Sequence, residues 1–353
     1  MSFRRAVVCV GGGLGVLVLA SLFVIVSFTS ALTLPTRISF QIVTGTTAGT
    51  YFPIGQLIAG LVSHPPGVDR CESAPVCGPT GLIISARTSD GAIANVLAVN
   101  QGGADSGFAQ TDVISQAIAG EGAFRKFGKQ SRVRIIADLF PEDVHLVVAR
   151  KSKIASVTDL KGKRVSIGVE SSGTSFTARA ILAAFGLSER RLKLRHNSAD
   201  IDAQLLQQGR LDAFFFVGGR PVALIDDLIA RGAARIVPIS GAARESLLKI
   251  DPDLSADTIP QGTYRGTLAI ETVSVQALWI VNANEPNDLI YGITKSLFNP
   301  TNRAAFDEEG GSAAFIRIGN ATRDLPAPLH PGAERYFREV NRLQRPFIRS
   351  GRS

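Results

Sequence analysis

The sequence predicts an α/β protein built as two doubly wound lobes joined by two crossing strands. Strand-like runs alternate with helical runs of roughly ten to fifteen residues, a pattern that calls for right-handed βαβ crossovers and parallel sheets. One run, Leu211 to Val217, is almost wholly apolar, as a strand covered on both faces must be. The alternation comes in two sets, residues 38–143 and 144–276. The remainder, 277–345, has helices but no sheet of its own, so it is expected to return to the first lobe. Val144 to Ala149 and Thr272 to Ile280 are then the crossings between lobes, and 346–353 is expected to be a mobile tail. With 353 residues, 45% of them hydrophobic, the chain can build a large core and more than one lobe.

Each element has its own signal. Ile38 to Val43 (ISFQIV) reads as a strand. After a loop of glycines and threonines, Ile54, Leu57, Ile58 and Leu61 share one helix face, with Pro53 in the first turn. Leu82 to Ala86 is a second strand, and Ser89 is placed to cap a helix over 90–99. Ala104 to Ala109 is a short strand leading into a helix that ends near Gly120; Arg134 to Asp138 is another strand. Arg164 to Val169 repeats the theme, followed by a helix marked by Ala178, Ile181, Leu182 and Phe185 and stopped at Gly186. Leu192 to His196 is a strand, Ser198 a cap, and 201–208 a helix. Val222, Ile225 and Ile229 mark a helix closed by Gly232, and Arg235 to Ile239 a strand. Nothing is assigned over 240–271. Val275 to Val281 reads as a strand, Asp288 to Leu297 as a helix, and Glu334 to Leu343 as a terminal helix with Tyr336, Phe337, Val340 and Leu343 on one face.

The N-terminus is a separate signal. Arg4 and Arg5 precede Ala6 to Phe28, a stretch without charge. This reads as an export signal. At about 23 residues the apolar run also suffices to span a bilayer, which takes roughly 20. Residues 1–31 are thus a signal peptide or a membrane anchor, and both readings place the rest outside the cytoplasm: periplasmic, with a tether at 6–28 left open. Without Arg4 and Arg5 the formal charge falls from +8 to +6. The basic residues are scattered and none is interleaved with aromatics, so no nucleic-acid partner is expected. Cys71 and Cys77, an even pair in an oxidising compartment, read as a local disulfide; two thiols without a nearby His make a poor metal site.

Ligands of open parallel sheets sit beyond the carboxyl ends of the strands. Four loops lie there: Thr44 to Tyr51, Gln110 to Asp112, Ser171 to Thr174, and Gly218 to Pro221. Most lead into helix N-termini, whose orphan N–H groups and positive dipole end hold anions. The first loop has Gly45 and Gly49 but no Gly-Lys-Ser/Thr ending and no G-x-G-x-x-G spacing, which excludes a phosphate loop and a dinucleotide fingerprint. A carboxylate fits better, with hydroxyl donors at Thr44, Thr46, Thr47 and Thr50 and the Tyr51 ring over an apolar stem. The other candidates are Gln110, Thr111, Asp112, Ser171, Ser172, Gly173, Thr174, Gly218, Gly219, Arg220 and Pro221. Arg220 is the charge best suited to grip a carboxylate with two parallel bonds, and Arg179 is a second basic candidate. Catalytic signals are poor. His64, His145, His196 and His330 make no metal spacing, no G-x-S-x-G elbow occurs, and no His is spaced to serve Ser172. No metal, cofactor or catalytic residue is expected.

Four stretches, in order, carry a family resemblance: "TGTTAGTYFPIG", "ANVLAVNQGGADSGFAQTDV", "PEDVHLVVARKSKIASVTDLKGKRVSIGVESSGTSFTARAIL" and "GRLDAFFFVGGRP". Over residues 38–340 the chain resembles the TAXI-type solute receptors of tripartite ATP-independent periplasmic (TRAP) transporters. The resemblance implies a type II periplasmic binding protein fold and a receptor that delivers a small acidic solute, such as glutamate or another carboxylate, to TRAP membrane permease subunits. Carried over, its binding loops are the same four. Ser171 stands where the family usually has a second glycine, which leaves the solute's identity open. Two rivals remain: a catalyst on the same fold, and a membrane-tethered sensor.

Overall fold

The computed structural model describes residues 37–73 and 76–340. The apolar N-terminal run and the tail expected from 346 lie outside the described residues. The strands are β1 (Ile38–Val43), β2 (Leu82–Arg87), β3 (Ser106–Gln110), β4 (Val133–Ala149), β5 (Arg164–Ser166), β6 (Lys193–Arg195), β7 (Ala213–Gly218), β8 (Ala234–Val237), β9 (Ser255–Ile259) and β10 (Ile270–Asn282). The α-helices are α1 (Tyr51–Val62), α2 (Asp69–Ser73), α3 (Ala92–Gln101), α4 (Thr111–Ala119), α5 (Gly173–Ala184), α6 (Ala199–Gln207), α7 (Ala223–Ala230), α8 (Ala242–Ile250), α9 (Asn287–Leu297), α10 (Arg303–Glu309) and α11 (Pro331–Glu339).

The strands form one sheet in the order β2-β1-β3-β10-β4-β7-β5-β6, with β8 also pairing β4 and β9 pairing β10. β1 runs parallel to β3, and β5 runs parallel to both β6 and β7. β10 is antiparallel to β3, β4 and β9, and β4 is antiparallel to β7 and β8. The α/β expectation therefore stands, with a mixed sheet where parallel pairing was expected. The two long strands are central: β10 meets β3 through Ala277 to Val281 and β9 through Ile270 to Ser274. β4 meets β7 through Asp143 to Val148.

Consecutive residues of β7 explain the layering. Phe214 packs with Ala203 and Leu206 of α6 and Ile225, Leu228 and Ile229 of α7. Phe215 packs with Ala178, Ile181 and Leu182 of α5 and Leu247 of α8. Neighbouring side chains of a strand point to opposite faces, so helices cover both faces and the strand has no polar side to show. At the other end, Ala109, Leu278 and Ile280 join α3 and α4 in a third core. The Phe108 and Trp279 rings stack edge to face, centroids 6.2 Å apart.

The sequence pattern misses several boundaries. Arg134 to Asp138 and Val144 to Ala149 are parts of one 17-residue strand that runs through Pro141. Proline removes one ladder donor, but register shifts against β10 between Ala277 and Leu278 and between Trp279 and Ile280 take up the irregularity. α8 and β9 occupy the stretch over 240–271 that carries no clean period. Cys71 and Cys77 are joined in a disulfide, Cα atoms 5.4 Å apart. Among the described residues no helix is long and apolar enough to cross a membrane.

Candidate functional site

The loops that follow β1, β2, β5 and β6 and the ends of β3 and β7 surround one cavity. It offers about 80 Å³ to the centres of water molecules. An ordered water needs ~10–15 Å³ on that measure, so there is room for a solute the size of a few waters. The first turns of α1, α3, α5 and α6 line it through Tyr51, Ala92, Gly173, Thr174 and Ala199, and the first N–H groups of α3 are taken by the Ser171 carbonyl. The leading N–H groups of an α-helix have no partner within the helix and carry the positive end of its dipole. Among the described residues, no Lys, Arg or His lines the cavity.

Sequence-identified residues divide by the side of the loop they occupy. Gly45, Thr46, Gly49, Thr50, Tyr51, Gln110, Ser172, Gly173 and Thr174 line the cavity. Thr44 lies beneath it: its hydroxyl donates to the Arg87 carbonyl at 2.7 Å, and its own carbonyl accepts from Asn95 Nδ2 at 2.6 Å. Thr47 is not among the lining residues. The Ser172 hydroxyl donates to the Val169 carbonyl at 2.6 Å and accepts from Ser175 N, which makes it the N-cap of α5. Ser89 does not cap α3; its hydroxyl accepts from Gly91 N and donates to Asn95 Oδ1. Instead the Ser171 carbonyl, from the far side of the cavity, accepts from Ile93 N and Ala94 N at 3.1 and 3.3 Å.

Arg220 is placed elsewhere than the sequence suggests. Its Nη1 lies 2.5 Å from Asp143 Oδ2 and 3.1 Å from Asp257 Oδ2, and none of Gly218, Gly219, Arg220 and Pro221 lines the cavity. The reason is the Asp143 side chain, only 1% exposed, which needs a cation when ionised. Burial pushes Asp143 up to about 7 and Arg220 opposes the shift. Arg179 is likewise committed, to Glu189 at 2.6 Å and to the Ser175 hydroxyl. Asp112 does not face the cavity either: its Oδ2 accepts from Thr177 Oγ1 at 2.7 Å, joining α4 to α5, and burial raises its pKa to about 7. Thr111 opens instead on a second cavity with Asp138 and Gln276.

Three acids that the sequence pattern does not single out line the cavity: Asp90, Glu142 and Asp202. Glu142 is 2% exposed and accepts from the Tyr51 hydroxyl at 2.7 Å. Burial pushes its pKa to about 8, with the Tyr51 bond opposing. The Tyr51 ring meets Phe108 and Phe140 edge to face, with its hydroxyl on Glu142. Burial likewise raises Asp202 to about 7, opposed by bonds from Ser166 and Asn197. Gln110, beside Glu142, has a buried Oε1 without a hydrogen-bond partner, and a Cβ on Gly173 would fall 1.4 Å from it. Only glycine allows that approach. Polar contacts join the two sets of loops: Thr50 Oγ1 donates to the Gly219 carbonyl at 3.3 Å and Ser171 Oγ to Asp90 Oδ2 at 3.2 Å, while Phe176 of α5 packs on the core of α3 and α4. Among the described residues no cluster of three or more His, Cys, Asp or Glu could hold a metal ion.

A model of the NMT1-like family matches residues 42–340. Among solved structures, MatC from Rhodopseudomonas palustris with bound malate aligns with a TM-score of 0.52 at 12% identity, over 88% of this chain and 98% of that one. The alkanesulfonate-binding protein SsuA from Xanthomonas axonopodis pv. citri bound to MOPS aligns at 0.44 and 16%, over 86% and 84%. The periplasmic aliphatic sulphonate binding protein SsuA from Escherichia coli aligns at 0.41 and 14%, over 88% and 84%. The likeness to MatC is one of fold: a mixed α/β chain with helices on a sheet of parallel and antiparallel strands.

Proposed function

We propose that this chain, which belongs to the NMT1-like family, is an extracytoplasmic solute-binding receptor that captures a small carboxylate, such as glutamate or a dicarboxylate. It hands the solute unaltered to membrane permease subunits, and we assign it to the TAXI type of TRAP receptor. Residues 38–143 with 277–345 form one lobe and 144–276 the other, and the solute is clasped between them.

The observation that carries this reading is the convergence of the N-termini of α1, α5 and α6 on a small cavity lined by residues from both sets of loops. Charge-assisted hydrogen bonds to a carboxylate are worth ~1.5–3 kcal/mol each. Three or four of them suffice for micromolar affinity, about −8 kcal/mol. Because the ligand touches both sides, it favours the closed arrangement. The malate bound to MatC fits the same reading of the fold. Catalysis is disfavoured because Ser172, the one hydroxyl in a nucleophile-like setting, is committed to capping α5.

Native mass spectrometry of freshly purified protein tests the proposal. A small carboxylate carried by the protein and recovered intact after incubation is the expected result. A phosphorylated or cationic passenger, or chemical conversion of the solute, overturns it.

A further inference from the structure

We propose that Glu142 meets the solute as a carboxylic acid and donates a hydrogen bond through its O–H to the solute's carboxylate. The inference rests on the carboxylate reading above and adds a side-chain donor to the backbone N–H groups of a cavity without a basic side chain.

The geometry comes first. Glu142 lines the cavity; its Oε2 accepts from the Tyr51 hydroxyl and its carboxyl also accepts from the Gln110 side chain, so a proton on it can point only toward the cavity. Every group that acts on it from a neighbouring element is acidic or neutral: Tyr51 on α1, Gln110 on β3, Asp112 on α4 and Asp143 beside it on β4. Asp90 and Asp202 line the same cavity. An ionised Glu142 would therefore repel an incoming carboxylate with no cation to offset it. A protonated Glu142 instead offers an O–H donor in a site shielded from water, where a hydrogen bond to a carboxylate is strong. Burial already favours the acid form, with a pKa of about 8, and a bound anion favours it further. The Gln110 bond, like that of Tyr51, favours the ionised form, but burial outweighs both; the unpartnered Gln110 Oε1 marks the polar end of the cavity.

The test uses the exported chain with acetate, L-malate and L-glutamate as probes. Binding is read by the shift in unfolding temperature at pH 7 and by calorimetry at pH 7 and 9. Infrared difference spectra against Glu142→Gln follow the protonated carboxyl. The expected results are a carboxyl band lost with a midpoint near pH 8 and moved at least about one unit higher by a bound probe. Affinity falls about tenfold from pH 7 to pH 9, because the acid form is then about a tenth of the population. Glu142→Gln, whose amide still donates, binds without that fall, and Asp202→Asn retains it. If no probe binds, the carboxylate reading fails and this inference with it. If a probe binds equally at both pH values, if the band midpoint stays fixed, or if the fall follows Asp202 instead, this inference alone is overturned.

Discussion

Replacing Arg220 by Ala separates two roles for the same guanidinium. In the structure Arg220 neutralises Asp143 and Asp257 behind the cavity wall. Removing one partner of a buried ion pair costs about 3–5 kcal/mol while the other stays charged. Asp143 has an escape, which is to take up a proton. Its folded pKa, about 7, lies above the unfolded value near 3.9. The folded protein thus binds more protons than the unfolded chain, and this contribution to stability is greatest in acid and is lost as pH rises. In the wild type the loss is complete near pH 7. Without Arg220 the folded pKa rises further and the loss continues above pH 7. The deficit of the variant is therefore about 1–2 kcal/mol at pH 5, where only hydrogen bonds are missing, and about 2.5–3.5 kcal/mol at pH 8, because one pH unit above the wild-type value of about 7 adds ~1.4 kcal/mol. Urea unfolding at the two pH values measures both. Solute affinity of the folded variant stays within about threefold of wild type, less than 1 kcal/mol. A tenfold loss of affinity with wild-type stability at pH 8 would refute this account and return Arg220 to the ligand.

Three other substitutions probe separate links. Gly173→Ala puts a methyl group where Gln110 Oε1 lies, so calorimetry should find solute affinity at least about tenfold weaker with the helix intact. Thr177→Val leaves Asp112 Oδ2 without its hydroxyl donor and should lower stability by about 1–3 kcal/mol in urea unfolding. Replacing Cys71 and Cys77 together by Ala opens a loop with a sequence separation of 6. The expected loss is below ~3 kcal/mol on the chain-entropy account, read as a lower unfolding temperature with solute binding unchanged.

The sequence pattern is most informative where a single element decides the outcome. β7 is legible because both of its faces are covered, and Gly186 and Gly232 end their helices in left-handed turns, with φ of 71° and 68°. The loops around Gly45 and Gly173 announce themselves by composition, and they do line the cavity. What stays hidden depends on pairing across the chain. Nothing near Glu142 in sequence says that it will face Tyr51, 91 residues away, because that follows from the register of β4 in the centre of the sheet. Arg220 is misjudged for a related reason: its partner Asp143 sits opposite Gly218 only once β4 and β7 pair. The cap on α3 is supplied by a backbone carbonyl, a group every residue carries, so no side-chain pattern marks Ser171 as that cap.

β4 and β10 remain hydrogen-bonded to one another from Ser274 opposite Asp143 to Asn282 opposite Val133. In the two-lobe receptor proposed above, a swing of one lobe against the other would twist this two-stranded ribbon. Such a joint behaves as a leaf spring, which resists in proportion to its deflection, whereas a loose linker would let the halves drift. Its softest points are the register slips beside Leu278 and Ile280, where the ladder is already irregular. In the receptor proposed above, such a spring would favour reopening once the solute leaves.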